Sequence, residues 1–226
     1  MLWVIFTKQR NYRFNFLIGR IYPAKEEKMK RNLFLLLSAA IVFMVYATAQ
    51  TPTKKYDIKS GIVTYESIMK MGDMEIKEKT IVYFDDYGMK ECKETYSGDR
   101  LEESYFSNGK DLYRVRHDEK TAYKQGSAYR GTELRVEWTE FGTEEERQAG
   151  KYKKLPPMTV AGKNCEMFEA NDGKGNITRY GGWNKILLYM DLQTGGVQNI
   201  QRAIKVEENA QVPPEKFQVP AGFIIK

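Results

Sequence analysis

The chain carries a single histidine, His117, and two cysteines, Cys92 and Cys165. A zinc site of the usual kind draws about four ligands from His and Cys, more than this chain can supply. A Ser-His-Asp triad would have to use His117. That residue lies in the polar stretch His117-Asp118-Glu119-Lys120, which has the composition of a turn, and no Gly-x-Ser-x-Gly elbow accompanies it. A solvated turn residue is the plainer reading. Gly181-Gly182 precedes an apolar run instead of opening a helix, so it is no phosphate loop. Among the carboxylates, Glu144, Glu145 and Glu146 suit a capped helix start, and Asp85-Asp86 suits a turn. A calcium site at Asp85-Asp86 or Asp172 is the alternative. Asn176-Ile177-Thr178 matches a glycosylation sequon by pattern alone. These residues point to no catalytic centre, no metal and no cofactor, and the expectation is a protein that is not an enzyme.

Soft apolar mass is the more suggestive feature. Met69, Met71, Met74 and Met89 fall around the first two expected hairpins, and methionine adapts to irregular apolar partners, ligands included. Trp183, Ile186, Leu188 and Met190 recur further on. The candidates for lining a cavity are Met69, Met74, Ile81, Tyr83, Met89, Trp183, Ile186 and Leu188. The alternative is that they fill the core of a curved sheet.

The elements that would position these residues are mostly strands. Turn signals recur at Met71-Gly72-Asp73-Met74, Asp85-Asp86-Tyr87-Gly88, Ser97-Gly98-Asp99, Ser107-Asn108-Gly109-Lys110 and His117-Asp118-Glu119-Lys120. Segments rich in β-branched and aromatic residues lie between them, at a spacing of about ten residues, which predicts an antiparallel meander. Thr143-Glu144-Glu145-Glu146 predicts one short capped helix, stopped by Gly150 and kept from resuming by Pro156-Pro157. Strands are then expected over 158–160, 165–170, 177–180, 183–190 and 197–206, before a proline-initiated turn near Pro213-Pro214. The expected fold is mainly β: a single curved antiparallel sheet, an unclosed half-barrel of about eleven strands, with one or two short helices. A sheet this wide tends to curl, and one helix cannot cover its inner face.

The leader bounds the setting. Lys28, Lys30 and Arg31 precede the apolar run Leu33 to Val45, which ends at Ala47-Thr48-Ala49, the three parts of a secretory signal peptide. Residues 1–28 are expected to be an upstream extension before Met29, 29–49 a cleaved signal, and 50–226 a single domain. An uncleaved anchor is the alternative, since the run approaches the lower limit for a span. No cysteine follows it, so no lipobox is present. The protein is therefore expected in the periplasm, soluble, with no stable membrane span after cleavage. The full chain holds 36 Lys+Arg and 30 Asp+Glu; the leader takes eight basic and two acidic residues, leaving 28 of each. Nucleic-acid binding relies on surplus cations, and none remains. Export would permit a disulfide between Cys92 and Cys165; two separate half-buried thiols are the other reading.

Four patterns resemble the LolA/LolB-like superfamily, in particular its uncharacterised secreted branch: Val82-Tyr83-Phe84-Asp85-Asp86-Tyr87-Gly88, Val160-Ala161-Gly162-Lys163-Asn164-Cys165, Trp183-Asn184-Lys185-Ile186-Leu187-Leu188, and the stretch from Val212 to Gly222. The resemblance implies an unclosed barrel with an apolar cavity, which in the characterised carriers takes up lipoprotein acyl chains. No basic residue here matches the carriers' cavity arginine, so the resemblance supplies no lipid-contacting residue. The resulting expectation is a binding protein for a hydrophobic or amphipathic, lipid-like molecule or a lipoprotein acyl chain. A structural or interaction module of the cell envelope with a self-filled core is the alternative.

Overall fold

A computed structural model describes residues 54–127 and 134–226, which belong to one compact unit, Thr53–Lys226. The expected leader lies outside the described residues.

Twelve strands form one sheet: β1 Gly61–Met71, β2 Met74–Asp85, β3 Lys90–Ser97, β4 Arg100–Ser107, β5 Asp111–Arg116, β6 Thr121–Ser127, β7 Tyr152–Val160, β8 Lys163–Asn171, β9 Ile177–Trp183, β10 Ile186–Thr194, β11 Val197–Glu208 and β12 Ile224–Ile225. Their order is β12-β6-β5-β4-β3-β2-β1-β11-β10-β9-β8-β7. The first meander runs outward from β1 to β6; the second returns from β7 and ends with β11 beside β1. All neighbours are antiparallel except β12, which adds to β6 in parallel. The expectation of a mainly β, unclosed sheet holds. The extra strand is β12, whose two residues pair only because the C-terminal segment crosses to β6.

The turns follow residue chemistry. Gly72 takes φ +59° at the β1–β2 turn, and Asn184 and Lys185 both take positive φ between β9 and β10, the conformation of a tight hairpin turn. Sequence patterning read 183–190 as one strand; the chain instead turns at 184–185, with Gly181 and Gly182 inside β9. Likewise β7 begins at Tyr152 and carries Pro156 and Pro157 within it. Edge strands tolerate proline, which lacks the ladder donor, and β7 is an edge. The capping box is present: Thr143 accepts from the Glu146 amide, and the Glu146 carboxylate accepts from the Thr143 amide, at the start of α1, Glu144–Gln148.

Alternation along β2 divides the faces. Val82 and Phe84 join an inner cluster with Tyr56, Val63, Tyr65, Val160, Cys165, Met167, Ile186 and Leu188. Tyr83 packs on the outer face against Cys92, Phe106, Val115, Ala122 and Phe217. Val160 of edge strand β7 and Val63 of β1 stand five strands apart in the order yet share one cluster, so this half of the sheet curls back on itself. Lys163 and Glu208 form an ion pair between β8 and β11. A third cluster, Val136, Phe168 and Leu187, packs with Trp138 and Phe141 of the segment preceding β7.

Cys92 and Cys165 are free and buried in different clusters on different faces. The candidate bridge does not form, because the pleat aims Cys92 outward and the curl carries Cys165 inward. Burial, reinforced by Glu94, pushes the Cys92 thiol up to about 12, and burial lifts Cys165 to about 11. Both stay protonated and therefore poor nucleophiles.

Candidate binding cleft

The inner face changes character along the β1–β2 hairpin. Near its base Val63, Tyr65, Val82 and Phe84 are buried. Farther out, the register sets Gln201 of β11, Ser67 of β1 and Glu78 of β2 opposite one another. One step beyond stand Asn199, Met69 and Ile76, and at the tip Val197, Met71 and Met74. The face is thus apolar, then polar, then apolar again.

The polar band opens into a cleft of about 960 Å³ over β1–β5 and β11. Across it run two further rows. Tyr65, Thr80, Thr95, Glu103 and Arg116 stand in register, as do Lys93, Tyr105 and Arg114. Four cationic side chains, Lys93, Arg100, Arg114 and Arg116, meet four carboxylates, Glu78, Glu102, Glu103 and Asp118. Most are committed to each other. Arg100 pairs with Glu102 at 2.6 Å, Arg116 with Asp118 at 3.2 Å, and Arg114 with Glu103. The Glu103 carboxylate raises Arg114 above the ordinary guanidinium range. Burial, then Glu103, raises the Tyr105 phenol. Glu78 has no ion-pair partner among the described residues, and the buried Gln201 amide nitrogen has no hydrogen-bond partner.

The eight residues expected to line one cavity do not come together. Met69 borders the cleft, and Met74 stands at the hairpin tip, 54% exposed. Ile186 and Leu188 lie in the inner cluster with Trp183 packed against it. Tyr83 faces outward beneath the Lys216 ammonium, 4.3 Å from its ring centroid. Ile81 alternates with Val82 and so also faces outward, half-buried. Met89 follows the Asp86–Gly88 turn, and its carbonyl accepts from the Ser107 hydroxyl at 3.2 Å. Alternation separates Ile81 and Tyr83 from the rest, and the curl absorbs Ile186 and Leu188.

Cleft residues that patterning passed over, Ser67, Glu78, Gln201 and Arg114, are polar residues in strands, which ordinarily face solvent. For Glu78 the signal is in the alternation of β2: inward positions 84, 82, 80, 78, 76 and 74 read Phe, Val, Thr, Glu, Ile, Met. His117 sits at the cleft margin, 2.8 Å from the Ser104 hydroxyl and edge-on to Phe223; burial pulls its imidazole below the ordinary range. Asp172 accepts from the backbone amides of Lys174 and Asn176, a turn-locking role. Among the described residues no group of three or more His, Cys, Asp or Glu is arranged to hold a metal, and no helix is long and apolar enough to cross a membrane.

No family model and no curated protein matches the sequence. Solved structures do match the fold. It is similar to an uncharacterized conserved protein from Thermus thermophilus, at 6% identity over 77% of this chain and 94% of that one, with a TM-score of 0.50. It is also similar to a LolA superfamily protein from Nitrosomonas europaea, at 11% identity over 76% of this chain and 97% of that one, with a TM-score of 0.36. A third likeness is to the Pseudomonas aeruginosa MucA/MucB complex, at 9% identity over 75% of this chain and 58% of the matched one, with a TM-score of 0.45. At such identities the likeness concerns the fold alone.

Proposed function

We propose that the chain is exported and that its domain is a non-enzymatic periplasmic protein binding an amphipathic, lipid-like molecule on the inner face of the half-barrel. The supporting observation is the ledge of Met69, Met71, Met74 and Ile76, exposed at 42, 52, 54 and 45%, running directly into the polar cleft. Covering four half-exposed side chains of this size is worth about 4 kcal/mol, which corresponds to a Kd on the order of 1 mM. The ledge alone therefore supports weak capture. Useful affinity requires the polar groups beside it, so the ligand has both an apolar and a polar part.

The test is titration of the protein with a dansylated C11 fatty acid, followed by fluorescence. Saturable binding is expected, weakened at least about tenfold by Met69→Asp/Ile76→Asp, since charges on the ledge oppose burial of the chain. No saturable binding would sink this reading. That result would favour a module of the cell envelope with a self-filled core, a reading that rests on Trp183, Ile186 and Leu188 packing against the protein's own side chains.

A further inference from the structure

We propose that the polar cleft selects a zwitterionic phospholipid headgroup, an ammonium and a phosphate ester together; this deepens, and rests on, the reading of the inner face as an amphiphile site. The cleft pairs most of its charged groups internally. Three of its four carboxylates already hold an arginine of the same cleft. Glu78 is exposed and has no ion pair among the described residues. Two strands away in the same row, Gln201 is 8% exposed, yet its amide nitrogen has no hydrogen-bond acceptor. Buried donors are nearly always satisfied, and the residue that carries this one borders the cleft. One end of the row thus needs a cation and the other an acceptor oxygen.

Adjacent strands lie about 4.8 Å apart, so the backbones of Gln201 and Glu78 stand roughly 10 Å apart across β1. The two long side chains can lean toward an ethanolamine phosphate ester seated above the Ser67 hydroxyl between them. Two residues further along β1 and β2 the face becomes Met69 and Ile76, so acyl chains attached to the phosphate side continue onto the ledge without crossing a charged group. The balance of four cations and four carboxylates fits the same choice. An anionic head would meet Glu78 as a like charge, and a purely cationic head would leave Gln201 without an acceptor.

The test uses the exported protein and diheptanoyl lipids below their micelle concentration, with binding read by calorimetry. Diheptanoyl phosphatidylethanolamine is expected to bind about tenfold tighter than diheptanoyl phosphatidylglycerol, the scale of one charge-assisted hydrogen bond. Glu78→Gln, at an exposed position, is expected to erase that preference. Gln201→Leu is expected to weaken both lipids alike; if that variant fails to fold, Glu78→Gln decides. Equal binding of both lipids and of octyl glucoside, still lost in Met69→Asp, would overturn the headgroup assignment and leave the amphiphile site standing. Tighter binding of phosphatidylglycerol would overturn it as well. Binding of no amphiphile would remove both.

Discussion

Lys55, Tyr56 and Glu91 show how individual side chains hold the inner face together. The Lys55 ammonium lies 2.6 Å from the Glu91 carboxylate, which is fully buried and also accepts from the Tyr56 hydroxyl. Tyr56 meanwhile stands edge-on to Phe84 in the inner cluster. Breaking a buried pair by removing one partner costs about 3–5 kcal/mol, whereas replacing both with apolar groups can be nearly neutral. Lys55→Met is therefore expected to lower the urea unfolding free energy by about 3 kcal/mol. The double variant Lys55→Met/Glu91→Leu is expected to regain most of it. Additive losses in the double variant would show that the pair itself is not the cause. None of this was legible in sequence, where Lys55 and Glu91 look like ordinary solvated charges 36 positions apart.

At the scale of elements, the segment preceding β7 crosses β9 at Gly182, which presents no side chain on that face. The Val136 amide donates to the Lys185 carbonyl at 2.9 Å, and a Cβ at Gly182 would meet a Val136 methyl at 2.6 Å. Gly181 leaves similar room for the Met167 sulfur, 2.8 Å from where its Cβ would stand. Gly182→Ala is expected to destabilise the protein by about 1–3 kcal/mol through overpacking, measured as a shift in the urea midpoint. The paired variant Gly182→Ala/Val136→Ala should recover part of the loss. A neutral Gly182→Ala would show that the crossing segment yields easily. Patterning saw these glycines as a break before an apolar run. They mark two close approaches, visible only once the segment from Leu134 onward is known to lie over Gly182 and Met167 to pack against Gly181. Most strands, by contrast, were legible, since period-2 alternation and turn residues act over a few positions.

For the whole molecule, charge neutrality depends on removal of the leader. Cleavage after Ala49 leaves 28 basic and 28 acidic residues. Mass measurement of the exported protein is expected to give a chain beginning at Gln50; a retained leader would restore the net charge of +6 and favour an anchored protein. At the start of the described unit, Lys55 and Tyr56 donate their amides to the Tyr87 carbonyl and Asp57 donates to that of Asn184. The opposite end is tied down too. Phe217 packs under the outer face, and the Lys226 amide donates to Ala122.

By itself the sequence determined what local rules can reach: a β chain, its turns, one capped helix and an apolar supply rich in methionine. It also determined the shortage of histidine and cysteine that steers the reading away from metal and nucleophilic chemistry. Tertiary structure decided which residues share a surface. Pairing β1 with β11 joins residues more than a hundred positions apart, and only that pairing sets Gln201, Ser67 and Glu78 in one row. The curl of the second meander then drew Ile186 and Leu188 into the core and left the first hairpin open. Alternation assigns each residue to a face, but the long-range register and the direction of curl assign each face its neighbours. The proposed site consequently centres less on the apolar residues that composition made conspicuous than on the polar ones that pairing brought together.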